Sequence, residues 1–369
     1  MKNRPVNQYA VVPPGLENVC CRELQALGIS SPVPLRGGVE FIGGLRELYL
    51  ANLWLRSASR ILVRVGEFHS RDFPGFFRKC RQLAWGEFLR PGQPLKIRVT
   101  CRQSRLFHSD RVEQVVREAI GHALGQPAAN PELAAAMLVV QVIDDRCQVS
   151  VDGSGEHLHR RGYRQHAVPA PLRENLAAGL LMHLGWAGER SLLDPMCGSG
   201  TFAIEAALLA AKLPPGRNRE FAFMDWPGFR SGLWNNLLTD ADRNRHQPST
   251  RIEGRDQSPV ALDAAKQNAS QAGVAELITW QTGDVLELAA PEPAGLVICN
   301  PPYGSRLGAA TELPSWYHSL GQLFNRHYRG WQLALIVPDA RLVTGWHRDM
   351  RTQLKFKNGG IEVAFVCSS

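Results

Sequence analysis

The sequence predicts an α/β protein: a Rossmann-like, doubly wound, seven-stranded sheet in its carboxyl-terminal part, preceded by a basic α+β region. Three observations carry this. Ser191-Leu192-Leu193-Asp194 is a short apolar strand that passes through a glycine-rich turn into a helix of good formers over residues 202–209. Leu296-Val297-Ile298-Cys299 is a buried strand stopped by Asn300-Pro301-Pro302-Tyr303, where two prolines fix a rigid turn. The charge is uneven. Residues 1–165 hold 23 Lys plus Arg against 15 Asp plus Glu, whereas residues 166–369 hold 19 of each. The whole net charge of +8 therefore lies in the first part, and 20 of its 23 cations are Arg, the residue suited to phosphate and to stacking on bases.

The elements follow in order. Tyr9-Ala10-Val11-Val12 is a strand, and Leu16, Val19, Cys20, Leu24 and Leu27 mark a helix stopped by Gly28. Val39-Glu40-Phe41-Ile42 is a strand, residues 45–55 a helix, and residues 60–65 a strand. Leu95-Lys96-Ile97-Arg98-Val99 alternates apolar and basic residues, so its cations share one face. Ser109 is expected to cap a helix bearing Val112, Val115, Val116, Ala119 and Ile120. Residues 138–142 and 147–151 alternate around Asp144-Asp145 as a hairpin. Between that strand and helix, residues 102–111 place Arg102, Arg105, His108 and Arg111 where a helix start favours phosphate, with Phe107 and His108 set either to stack or to pack.

In the second part, Arg251 to Asp256 is the second strand, with Asp256 at its end, and the helix that follows from Pro259 carries Val260, Leu262, Ala265 and Ala269 on one side and Gly273 as its stop. Residues 277–280 lead to Gly283-Asp284-Val285, and residues 331–337 are the fifth strand. Residues 354–366 are the terminal antiparallel pair, turning at Asn358-Gly359. Residues 213–250 carry Trp226, Phe229 and Trp234, with Trp226 and Phe229 set either to shape a pocket or to pack on the sheet.

Open α/β sheets bind ligands at the carboxyl ends of their strands. There the glycines of Pro195-Met196-Cys197-Gly198-Ser199-Gly200-Thr201 let the backbone approach a ligand. The loop is neither G-x-G-x-x-G nor a P-loop, and Ser199 lacks the nucleophile-elbow spacing. Asp194 suits a ligand with a positive end, such as the amino group of S-adenosylmethionine. Asp256 suits two ribose hydroxyls, and Asp284 an adenine amine. Asn300 and the Pro301 carbonyl suit the two N–H donors of an exocyclic base amine, with Tyr303 stacked on the ring.

DPMCGSGTF, GRDQSP, TGDV and NPPYG, in this order, resemble a class I S-adenosylmethionine-dependent methyltransferase acting on an exocyclic amine. With Gly37-Gly38-Val39-Glu40-Phe41, Leu158-His159-Arg160-Arg161-Gly162-Tyr163-Arg164 and Lys357-Asn358-Gly359-Gly360 the resemblance widens to the THUMP-containing rRNA guanine-N2 methyltransferase family of the RlmL type, across essentially the whole chain. The resemblance implies a ferredoxin-like start over residues 1–44, a THUMP RNA-binding domain over 45–155 and a methyltransferase domain over 156–369, without the second methyltransferase domain of longer members. It implies N2 methylation of a guanosine in large-subunit rRNA. Cofactor-binding residues are Asp194, Pro195, Cys197, Gly198, Ser199, Gly200, Thr201, Asp256, Gln257, Asp284, Val285 and Asn300; catalytic residues are Asn300, Pro301, Pro302 and Tyr303. Arg161 and Tyr163 join Arg102, Arg105, His108 and Arg111 as RNA contacts, and Glu174 belongs to a segment that closes over the site.

NPPY alone leaves adenine N6 in RNA or DNA open, a tRNA guanine is a further candidate, and a non-catalytic RNA-binding assembly factor is the reading from another class. Eight cysteines without a C-x-x-C pair argue against zinc. The absence of an apolar run of 18 residues or a signal pattern leads to the expectation of a cytoplasmic protein that meets no membrane.

Overall fold

The computed structural model describes residues 4–126, 128–165, 172–287, 289–302 and 313–368. Tyr303, expected to stack on the base, lies outside them. The chain forms two compact units. Unit 1 holds the chain up to Val12, Cys20–Leu158 and Gly216–Asp240; unit 2 holds Pro13–Val19, His159–Pro215 and the chain from Ala241. Elements are numbered in chain order.

Unit 1 is built on strands β1 (Val6–Val11), β2 (Val33–Leu35), β3 (Gly38–Gly43), β4 (Arg60–His69), β5 (Leu95–Arg102), β6 (Ala136–Ile143) and β7 (Arg146–Asp152), ordered β2-β3-β1-β4-β7-β6-β5. Its helices are α1 (Glu17–Ala26), which enters from unit 2, α2 (Leu45–Trp54), α3 (Phe73–Arg81) and α4 (Ser109–Ala123). Only β5 and β6 run parallel, as the α4 crossover between them requires. Alternation sets the buried face: Phe41, Ile61, Val63, Leu138, Val140 and Val149 are 0–1% exposed. Asp144 and Asp145 turn the β6–β7 hairpin with φ of 52° and 62°, the left-handed pair that matches strand twist. Ser109 is a correction: it is the first helical residue of α4, and His108 occupies the cap without a side-chain bond.

The segment Gly216–Asp240, within the stretch expected for the second domain, packs inside unit 1. Phe223 stacks on the fully buried Tyr49 of α2 at 4.4 Å between ring centroids, and Trp234 meets Tyr49 edge-on at 6.0 Å. Trp226 sits edge-on against Phe88 at 5.0 Å. The Tyr49 hydroxyl accepts the Arg230 amide, and Leu53 O accepts that of Gly216. Trp226 thus packs on Phe88, and Phe229 on Tyr49 and Phe223. Ser231–Arg243 is α7.

Unit 2 contains α5 (Glu174–His183), β8 (Leu192–Asp194), α6 (Thr201–Ala210), β9 (Ile252–Asp256), α8 (Pro259–Gln271), β10 (Ile278–Thr282), β11 (Leu296–Cys299), α9 (Leu313–His327), β12 (Gln332–Val337), β13 (Met350–Asn358) and β14 (Ile361–Ser368). The order is β10-β9-β8-β11-β12-β14-β13, with the first five strands parallel and the last two antiparallel to their neighbours. The chain winds outward from β8 to β10, then returns to the other side of β8 as β11. That reversal is the topological switch point, where such sheets leave a crevice. Every residue of β8 and β11 is buried, as strands covered on both faces must be.

Two local expectations are corrected. Asn358 is still paired with Ile361, and the tight turn is Gly359-Gly360, with φ of 57° and 89°. Leu262, Ala265 and Ala269 form the buried side of α8, but Val260 is 77% exposed. Among the described residues, no helix is long and apolar enough to cross a membrane, no group of three metal-binding side chains occurs, and the eight cysteines are free, seven of them buried.

Phe223→Ala removes the ring stacked on Tyr49 and should destabilise unit 1 by about 3–5 kcal/mol. Chemical denaturation, with amide exchange to resolve the units, checks this. A loss below about 1 kcal/mol would contradict the packing described.

Candidate functional site at the switch point of the parallel sheet

The site is assembled from the carboxyl ends of β8, β9 and β11. Leaving β8 at Asp194, the chain turns through Pro195 to Gly200 before α6 begins at Thr201. The turn is tied to β9: Cys197 N–H donates to Arg255 O at 2.8 Å and Gly198 N–H to Asp256 Oδ2 at 2.8 Å. Gly198 and Gly200 have φ of 53° and 83°. At Gly200 a Cβ would also lie 2.8 Å from the Trp280 ring and 3.0 Å from Ala265 Cβ, so only glycine fits. Asn268 of α8 donates to Ser199 O at 3.2 Å and fixes the loop from the other side.

Three carboxylates lie at the ends of consecutive strands. Asp194 is 2% exposed, and burial pushes its carboxyl well above the usual range; the Met196 amide opposes this and the charge of Asp256 adds to it. Such a group is primed for a cationic partner. Asp256 accepts the Gly198 amide on one oxygen and the Ser258 amide on the other at 2.9 Å. Each oxygen keeps a second acceptor position. Asp284 is partly exposed and accepts the Leu286 amide at 2.9 Å. Gln257 beside Asp256 is exposed. Val285 sends its side chain into the core with Val297 and Phe324.

Asn300 follows β11. The register sets Val297 beside Leu193, which places Asp194 at the end of β8 and Asn300 just past the end of the adjacent β11. Asn300 Oδ1 is buried and has no hydrogen-bond partner among the described residues. A buried amide oxygen without a donor costs about 1–3 kcal/mol, and two prolines hold it there, Pro301 buried and Pro302 partly exposed.

Residues 161–165 are stapled to α6. Tyr163 donates to Glu205 Oε1 at 3.1 Å, and Arg161 Nε lies 3.6 Å from the same oxygen. Arg164 donates to Leu172 O and Thr201 Oγ1, both at 2.8 Å, and pairs with Glu174 at 3.4 Å. Arg161 is 5% and Tyr163 4% exposed. These two residues, expected to contact RNA, both turn their side chains inward to a carboxylate. Glu205, fully buried, escaped the sequence reading because it is also a good helix former. Its signal was a lone acid inside an apolar helix, with an Arg-x-Tyr-Arg run upstream to neutralise it.

The other expected RNA contacts lie in unit 1. Arg102 is exposed at the end of β5. The Arg105 amide donates to Asp145 at 2.8 Å, the main reason that carboxyl is held low. His108 lies against Phe107 at 3.9 Å, and Phe107 is 65% exposed. Arg111 stands 5.8 Å from the Phe73 ring.

Known protein families match this architecture. An RMKL-like methyltransferase domain matches residues 161–364, a RlmL ferredoxin-like domain residues 7–62 and a THUMP domain residues 70–152. A ribosomal RNA large subunit methyltransferase K/L of Methylococcus capsulatus is 37% identical over 90% of the chain, but over only 47% of its own length. The chain thus spans about half the length of the K/L relatives. A Synechocystis protein named provisionally as an RNA methyltransferase is 34% identical over 96% of the chain and 94% of its own length. A solved structure titled as a methyltransferase in complex with S-adenosylhomocysteine superposes with a TM-score of 0.88 and 28% identity, covering 99% of this chain and 98% of that one.

The buried Asp194 yields a pH prediction. A folded-state carboxyl held above its unfolded value contributes stability that is complete below the unfolded pKa, about 3.9, and is lost as pH rises through the folded value. Asp194→Asn should therefore gain in melting temperature relative to the parent as pH rises from acid to neutral. Parallel melting curves across that range would contradict a desolvated carboxyl here.

Proposed function

This chain belongs to the family of THUMP-containing methyltransferases with an RMKL-like catalytic domain, and on that premise we propose that it methylates the exocyclic N2 amine of a guanosine in large-subunit rRNA. The cofactor is S-adenosylmethionine, which supplies an electrophilic methyl group on a positively charged sulfur. Asp194 would hold its ammonium, Asp256 its ribose hydroxyls and Asp284 its adenine amine, while Gly198 and Gly200 leave room for close backbone approach. The residues fit this ligand: the crevice offers a desolvated carboxyl at Asp194 for a cation and, at Asp256, carboxylate oxygens with acceptor positions to spare.

The observation that carries the reading is the unsatisfied Asn300 Oδ1. A base amine is a poor nucleophile because its lone pair is shared with the ring. In accepting one N–H, Asn300 stabilises the positive charge that grows on nitrogen as the new nitrogen–carbon bond forms, and the Pro301 carbonyl would accept the other. The two acceptors also orient the lone pair along the line of transfer. As the carbon–sulfur bond breaks, the nitrogen becomes acidic and its proton passes to solvent. Tyr303 follows directly in sequence and is assigned to stack on the target base, which must be unpaired or flipped. The Arg-rich first half of the chain and the naming of the relatives for large-subunit rRNA support RNA as the substrate.

Asn300→Ala should lower methyl transfer by about 10²–10³-fold, while calorimetry finds S-adenosylmethionine bound as tightly as by the parent. A variant that transfers at close to the parental rate would remove Asn300 from the chemistry.

A further inference from the structure

Strand β5 is an edge of the unit 1 sheet. Its inner row, Ile97 and Val99, shares a face with Leu138 and Val140 of β6 and meets α4. Its outer row carries Lys96, Arg98 and Arg102, all exposed and none in an ion pair among the described residues. Alternate residues of a strand stand roughly 6.6–6.8 Å apart, close to the spacing of successive phosphates in an extended nucleic acid strand; Lys96 and Arg98 have this spacing, and Thr100 separates Arg98 from Arg102. Further along the same face Arg146 pairs with Glu67 and Arg60 with Asp152, while the half-buried Arg64 donates to Ser150 Oγ. The positive charge left over is concentrated on the edge, and Arg60 already feels Arg98 as a like charge.

Beside this row, the register sets Val139 next to Arg98, Gln141 next to Thr100 and Ile143 next to Arg102. Val139 and Gln141 are partly exposed and Ile143 is 37% exposed. The floor therefore offers apolar surface and one amide, flanked on its outer side by a straight row of cations. A duplex presents phosphates on both strands and keeps its bases stacked inside; an unpaired strand presents phosphates on one side and flat base faces on the other.

We propose that this outer face of β5 and β6 binds an unpaired RNA segment, with its phosphates along Lys96, Arg98 and Arg102 and its bases on Val139, Gln141 and Ile143. The proposal rests on the reading of the chain as an RNA-modifying protein and adds to it the form of RNA held and the surface that holds it. Arg102 is shared with the loop assigned to RNA from the sequence, so the strand row extends that loop into a track.

The test compares the full-length parent, a K96A/R98A/R102A variant and an R46A/R117A control that removes cations on α2 and α4. Fluorescence anisotropy measures binding of a labelled unpaired oligoribonucleotide and of a duplex of equal length over a range of salt. The triple variant should bind the unpaired strand at least tenfold more weakly, with a salt slope smaller by about 2 given roughly 0.7 per phosphate contact, and the control should match the parent. Equal binding by parent and triple variant, an equal loss in the control, or preference for the duplex overturns the proposal. Photocrosslinking of the parent to a thiouridine-bearing strand needs no substitution: crosslinks on residues 136–143 support the proposal, and crosslinks only elsewhere overturn it. Methyl transfer is read separately. If the parent methylates RNA while the triple variant binds normally, this face is wrong and the function stands. If binding depends on the row while no RNA accepts methyl, the face stands and the function falls.

Discussion

The hydrogen bond from the Gly198 amide to Asp256 holds together the parts from which the site is made. It joins the turn after β8 to the end of β9, and the Cys197 amide on Arg255 O doubles the tie. With the loop pinned at this edge, α6 must start at Thr201 and the crevice between β8 and β11 stays open at the switch point. The same carboxylate caps the turn into α8 through the Ser258 amide. One Asp side chain thus sets the positions of two helix starts. The glycines follow from this constraint, because the loop so held passes within contact distance of Trp280 and Ala265.

Charge in unit 2 is used in two opposite ways. Around α6 the buried acids Glu205 and Glu174 are matched by Arg161 and Arg164, with the Tyr163 hydroxyl adding a neutral donor. A matched buried set of this kind contributes little net stability, but losing one member leaves a charge stranded at a cost of about 3–5 kcal/mol. It acts as a lock on the chain entering the domain. Among the described residues Asp194 is met by the Met196 amide and opposed by the like charge of Asp256, and Asn300 Oδ1 has no donor. At the crevice a ligand can supply the cation that Asp194 lacks and the donor that Asn300 Oδ1 lacks.

Much of this was legible in the residues. Prolines 301 and 302 announce the end of β11, the glycine loop announces the start of α6, and the acids at 194, 256 and 284 fall one per strand. The antiparallel tail could be read from alternation, although its turn slipped by one residue because Asn-Gly and Gly-Gly both suit left-handed geometry. Side-chain direction was less legible. Arg161 and Tyr163 look like surface contacts in a basic run, and only the buried Glu205 turns them inward. Val285 neighbours a ligand-type acid, yet it points to the core. Trp226, Phe229 and Trp234 carry no hint in the chain that their partners are Tyr49 and Phe88, more than a hundred residues away, because such pairing is a property of packing and not of local pattern.

The most direct test of the account is to incubate the purified protein with labelled S-adenosylmethionine and unmodified large-subunit rRNA, tRNA and duplex DNA in parallel, then digest and identify the labelled nucleoside. The account predicts N2-methylguanosine, in rRNA alone. N2-methylguanosine in tRNA would contradict the assigned substrate and keep the chemistry, N6-methyladenine would contradict the assigned base, and no label in any nucleic acid would contradict catalysis by this chain.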